Sequence, residues 1–126
     1  MKALVTPALL LAGLLALSAL NCRAMESDVL RWQSQLETAE DTAASGNWAG
    51  ALDLLCQSYG DWSTRQTYLH IVAEHAAVDG ADAMYRRAAA FAATEEASEF
   101  RSELADLRHQ LGLLAEMEQF SIRNIL

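Results

Sequence analysis

The stretch ASEFRSELADLRHQLGLL, residues 97–114, decides the fold class. After Ala97, the residues Phe100, Leu104, Leu107, Leu111 and Leu114 recur in steps of three and four. That period keeps one face of an α-helix apolar, whereas a strand needs alternation by two. Sustained over two and a half heptads, it forms a seam for packing against another helix. Thr94 reads as the cap that opens this helix.

Working outward, the same pattern recurs upstream. Ser27 reads as an N-cap, and Val29, Trp32, Leu36, Ala39 and Ala43 follow at helical spacing until Gly46. Asn47 caps a second helix with Trp48, Ala51, Leu52, Leu55, Cys56 and Tyr59 on one stripe, closed by Gly60. Ser63 and Gln66 stand at capping-box spacing ahead of a third helix through Val78. Asp79-Gly80 reads as a turn, and Met84, Ala88 and Phe91 mark a fourth helix. No alternating β-branched run appears, and one proline and six glycines leave few turns for an all-β chain. The expected architecture is all-α: antiparallel helical hairpins forming a bundle of about five helices, over residues 25–126, after an N-terminal apolar helix. Ser45 to Leu52 reads like the turn and second helix of a tetratricopeptide hairpin, but one unit does not make an array.

Residues 1–24 form a separate segment. Lys2 precedes an uncharged run from Ala3 to Leu20, which Pro7 interrupts to leave an apolar core of Ala8 to Leu20. The core has signal-peptide length, and the whole run reaches the lower edge of a membrane span. Three fates stay open: cleavage after Ala24, where Cys22 and Ala24 supply small residues; retention as an anchor; and lipidation at Cys22. Each places the chain after Arg23 outside the cytoplasm, either secreted or held at the outer face of the membrane.

Charge sets further bounds. The 126 residues carry 9 Lys and Arg against 17 Asp and Glu, a formal net charge of −8. Residues 25–126 retain 7 cations against all 17 anions, a net −10. Such a chain is not expected to bind a nucleic-acid backbone. Anionic lipid would repel it too, so membrane contact is expected through residues 1–24.

Residues able to carry chemistry are few. His70 and His75 are five apart, a spacing that turns by about 140° on a helix and separates two would-be metal ligands. His75 is expected to be a hydrogen-bonded residue at the edge of the apolar face, and His109 to be solvated. Cys56 lies on the apolar stripe and is expected to be a buried thiol. Glu95, Glu99, Glu103 and Asp106 make an acidic stripe that reads as a solvated face, partly offset by Arg86 and Arg87, with Asp82 placed to pair with Arg86. Trp32, Trp48 and Trp62 each fall on a helical stripe and are expected to pack in the core. The phosphate loop, the His-Glu-x-x-His zinc pattern, paired Cys-x-x-Cys and the Gly-x-Ser-x-Gly elbow do not occur, so no enzyme, cofactor or metal is expected.

The layout resembles a bacterial family of short membrane-directed helical proteins catalogued as domain of unknown function 4363. The matching residues are Asn47-Trp48-x-x-Ala51, Trp62, Leu69 with His75, Asp79, and the closing Phe120-Ser121-Ile122-Arg123-Asn124-Ile125-Leu126, which is similar to the family's Asn-Ile-Leu tail. The resemblance implies no catalytic residues. It marks Trp48, Trp62, His75, Asn124, Ile125 and Leu126 as positions without an assigned role. The apolar tail is expected to pack back on its own domain.

Two functions are therefore expected. The favoured one is a non-enzymatic interaction or structural module, with Phe100, Leu104, Leu107, Leu111 and Leu114 of the fifth helix extending a core or meeting a partner or second copy. The alternative is an extracytoplasmic ligand, metal or thiol site centred on His75 and Cys56.

Overall fold

A computed structural model describes residues 2–125, apart from the side chains of residues 2, 18, 21, 22, 72, 121, 122, 124 and 125. It contains α1 (Lys2–Ala44), α2 (Trp48–Ser63), α3 (Gln66–Val72), α4 (His75–Ala93) and α5 (Ala97–Ile125), with no strand among the described residues. The all-α expectation holds.

The apolar N-terminus is not a helix of its own. It is the first half of α1, which runs unbroken for 43 residues. No glycine or proline stands between Leu20 and Asp28 to stop it, and Ser27 continues the helix instead of capping a new one. Ala3 to Leu20 spans about 27 Å at 1.5 Å per residue, just under the roughly 30 Å of a bilayer's hydrocarbon. Among the described residues no helix is long and apolar enough to cross a membrane. Every large hydrophobic from Leu4 to Leu20 is nonetheless exposed.

From Met25 onward the molecule is a four-helix bundle with a cap. The order of packing around it is α2, α1, α5, α4 and back to α2. Short connections make each pair antiparallel. Gly46 stands at φ +89°, the left-handed turn that ends α1, and its missing Cβ removes the strain another residue would meet there. Asn47 then accepts the Gly50 amide at 2.9 Å and caps α2. The register of α5 on α1 is fixed by Gln119 donating to Glu26, Gln33 donating to the Arg108 carbonyl at 3.0 Å, and Arg101 and Arg108 on Glu40 at 3.3 and 3.1 Å. The register of α5 on α4 follows from Gln110 on the Ala77 carbonyl at 2.9 Å and Arg87 on Glu103 at 2.8 Å.

The seam of α5 is inside. Phe100, Leu104, Leu107, Leu111 and Leu114 are all buried, in one core cluster with Trp32, Leu36, Leu55, Trp62 and Tyr85. They form part of the protein's own core.

Three connections differ from the expectation. Gly60 lies within α2, which runs on to Ser63. Stopping at Gly60 would forfeit the burial of Trp62, one turn beyond Ser58 on the stripe, and that outweighs the ~1 kcal/mol helix cost of a glycine. Asp79-Gly80 likewise sits inside α4, whose buried stripe of Ala77, Val78, Ala81 and Tyr85 runs straight through it. The break falls earlier, where Ala73 and Glu74 are extended (φ −124°, ψ 166° and φ −65°, ψ 136°) and part α3 from α4. Thr94 closes α4, its hydroxyl donating to the Ala90 carbonyl at 3.1 Å, and does not open α5.

Candidate functional site

The densest polar arrangement sits at the end of the bundle where the apolar half of α1 leaves. It starts from Asp28 on α1, which pairs with Arg31 one turn on at 3.1 Å and with Arg65, between α2 and α3, at 2.9 Å. Arg31 reaches Asp61 of α2 at 3.6 Å, and Gln35 donates to the same carboxylate at 3.0 Å. The Arg65 guanidinium lies 5.9 Å from the centroid of the Tyr68 ring. The Tyr68 hydroxyl donates to Glu118 Oε1 at 2.5 Å, which carries the network to α5. Short α3 thus closes this end, held by groups at its start and middle.

Glu118 is the anomaly. Only 1% of it is exposed, and its second oxygen, Oε2, has no hydrogen-bond partner among the described residues. Desolvation drives its carboxyl above the ordinary glutamate range. The Tyr68 hydrogen bond and Arg65 pull against that, while Asp28 and Glu26 add to it. Trp32 Nε1, Trp62 Nε1 and Gln35 Oε1 are likewise buried with no hydrogen-bond partner among the described residues.

A second polar cluster lies in the middle of the bundle. Ser58 and Tyr85 share a hydrogen bond of 2.8 Å inside the core, and Tyr59 donates to Asp82 at 2.8 Å. Burial pushes the Tyr85 phenol well above its ordinary value, with Ser58 opposing. Tyr59, Trp62 and Tyr85 pack ring to ring at centroid distances of 5.4 to 5.9 Å. Asp82 pairs with Arg86 at 2.9 Å, as their spacing implies.

The histidines behave otherwise than their spacing suggests. The break at Ala73 and Glu74 turns the chain so that His70 Nδ1 and His75 Nδ1 meet at 2.8 Å, one ring donating and the other accepting. Asp79 lies 3.8 Å from the far nitrogen of His70. His75 is exposed at the start of α4, not at an apolar edge. Cys56 is exposed as well, because Leu55 takes the core position beside it. It lies in a shallow groove of ≈ 420 Å³ with Tyr59, Tyr85, Arg86 and Ala89. Arg86 is 11 residues along α4 from His75, about 16 Å at helical rise, so His75 and Cys56 belong to different places. Among the described residues no group of three or more His, Cys, Asp or Glu is arranged to hold a metal ion.

The remaining marked positions scatter too. Trp48 is half-buried, edge-on to Phe100 at 5.4 Å, beside a groove of ≈ 460 Å³ lined by Glu40, Asp41 and Arg101. Trp62 is fully buried at the other end of α2. The side chains of Asn124 and Ile125, and all of Leu126, lie outside the described residues, and with them the packing of the tail. The acidic stripe is exposed except at Glu103, which holds Arg87.

Sequence reasoning passed over Glu118, Tyr68, Arg65 and Asp28. One signal was available: Glu118 is the next position of the α5 seam, four residues after Leu114, and a carboxylate on a core seam is out of place.

No curated protein and no solved structure matches the chain. The family described as a domain of unknown function, DUF4363, matches residues 20–125, which takes in the whole bundle and leaves out most of the exposed apolar half of α1. The chain belongs to that family.

Proposed function

We propose that this protein is a membrane-anchored helical module that acts by contact and not by catalysis, with its bundle at the outer face of the cytoplasmic membrane. The observation that supports this is the change of burial along one unbroken helix. Before Arg23 the large side chains of α1 are exposed; from Met25, at 0% exposure, the same helix lines a core. So much exposed leucine on a soluble protein has no partner but lipid or another apolar surface. Lys2 and the amino terminus stay inside, and the bundle lies outside.

Retention of the segment is favoured over cleavage after Ala24. Cleavage there would make Met25 the first residue, and fraying of the new first turn would release a side chain that is fully buried. A carboxylate network and a buried phenol serve the bundle's own packing, and nothing about them calls for a substrate.

The test is fractionation of intact cells with an alkaline wash, followed by intact mass. The expected result is a full-length chain in the washed membrane pellet. A full-length chain in the soluble fraction, or a free chain beginning at Met25, would overturn the proposal.

A further inference from the structure

The membrane-side end of the bundle carries an unusual surface. Six of the eight arginines are engaged with carboxylates: Arg31, Arg65, Arg86, Arg87, Arg101 and Arg108. Arg23 and Arg123 are exposed and make no ion pair among the described residues. The register puts these two at the same level. Gln119 lies opposite Glu26, so one turn further along α5 and one turn back along α1 bring Arg123 beside the level of Arg23.

Apolar side chains gather at the same end. Among the described residues outside the apolar half of α1, the exposed large hydrophobics are Leu30, Ile71 and Phe120, at 67%, 77% and 66% exposure. Phe120 is three residues before Arg123. Ile71 is three residues beyond Tyr68 on α3, the helix that Tyr68 ties to Glu118 across this end of the bundle. Leu30 stands two residues after Asp28 on α1. The opposite end, at the α1–α2 and α4–α5 turns, exposes no large hydrophobic and carries Asp41, Glu95, Glu96 and Glu99.

The geometry points to an interfacial collar: Arg23, Arg123, Phe120 and Ile71 dock the bundle onto an anionic bilayer surface, with the arginines on headgroups and the two apolar side chains at the acyl boundary. This rests on the membrane anchoring proposed above. Two independent features specify lipid as the occupant. The arginines without an ion pair among the described residues are the ones level with the emerging apolar helix, where headgroup phosphates would lie. The apolar run is too short to cross the hydrocarbon unaided, by about 3 Å at helical rise, so anchoring through it requires the bundle end it leaves to be drawn into the interface. Glu26, the nearest acid on α1, accepts from Gln119 and keeps its charge, and Glu74 and Glu116 are exposed at the same end, so the two arginines act locally on single headgroups and not as part of a positive face.

The experiment uses the full chain in lipid nanodiscs, in a Cys22→Ser, Cys56→Ser background, with spin labels at Leu14→Cys, Ile71→Cys, Phe120→Cys and Ser98→Cys. Collision with dissolved oxygen and with a water-soluble nickel chelate reports depth. Label 14 in hydrocarbon, labels 71 and 120 at the headgroup level and label 98 in water would bear the collar out. Label 14 in hydrocarbon with 71 and 120 in water would overturn the collar and leave the anchor standing. Label 14 in water would overturn both, and label 98 in lipid would overturn a collar confined to one end. Replacing phosphatidylcholine by phosphatidylglycerol should raise the docked-to-free ratio about fivefold per arginine. Arg23→Gln with Arg123→Gln, both exposed, should abolish that dependence; its persistence would overturn the arginines' part.

Discussion

Replacing Glu118 by glutamine should stabilise the bundle at neutral pH and leave it unchanged in acid. At pH 7 the wild-type carboxylate is buried at 1% exposure, with one oxygen held by Tyr68 and the other unpartnered. An unsatisfied buried acceptor costs about 1–3 kcal/mol, more when it is charged. Glutamine keeps an oxygen for Tyr68 to donate to and removes the charge, but it leaves a new N–H pair without an acceptor. The net gain at pH 7 comes to about 1 kcal/mol, or roughly 4–8 °C in Tm for a domain of this size. Because the folded state raises the carboxyl's pKa, the stability it contributes is fully present below the ordinary glutamate range and is lost as pH rises through the folded value. The wild type should therefore lose ground to Glu118→Gln as pH rises from the ordinary glutamate range through the higher folded value. Tyr68→Phe removes the bond that holds the pKa down and should steepen that loss. Thermal unfolding followed by circular dichroism across this range, on all three proteins in the same detergent, measures it. A difference that is constant with pH, or a glutamine variant no more stable at pH 7, would refute the reasoning.

Two further outcomes follow from burial alone. Leu107→Ala, at a fully buried seam position, should cost about 2–5 kcal/mol in the same unfolding assay. His75→Ala should cost less than about 1 kcal/mol, since it removes a solvent-exposed hydrogen bond to His70 and buries nothing new; a larger loss would place His75 in a site of its own.

The periodicity of α5 was legible because a seam is a sum over many residues, and no local preference outweighs five buried side chains. Gly46 and Asn47 were legible for a different reason: only a left-handed turn and a side-chain cap fit that junction, and the residues supply both. Gly60 and Asp79-Gly80 misled because their turn preference, of order 1 kcal/mol, is smaller than the burial of Trp62 or of Ala81 and Tyr85 that a helix through them secures. The break at Ala73 and Glu74 has no glycine or proline to announce it. The meeting of His70 and His75 was hidden with it, since five residues along a straight helix would have held the rings apart. The stripe of α2 identified a buried position but not which of Leu55 and Cys56 would fill it, and the bundle chose the larger.

The charge of the bundle bears on its placement only once its distribution is known. A net −10 would keep a uniformly charged body away from anionic lipid. Screening at physiological salt, however, confines such repulsion to roughly 8 Å. Along α5, Glu99 stands 24 residues from Arg123, about 36 Å at helical rise. Glu95 and Glu96 lie further still. Acids at that remove contribute nothing at the other end, where the charges that count are Arg23 and Arg123, with no ion pair among the described residues, and the exposed Glu26, Glu74 and Glu116. On the docking proposed above, the acidic turns and the groove beside Trp48 face the aqueous side.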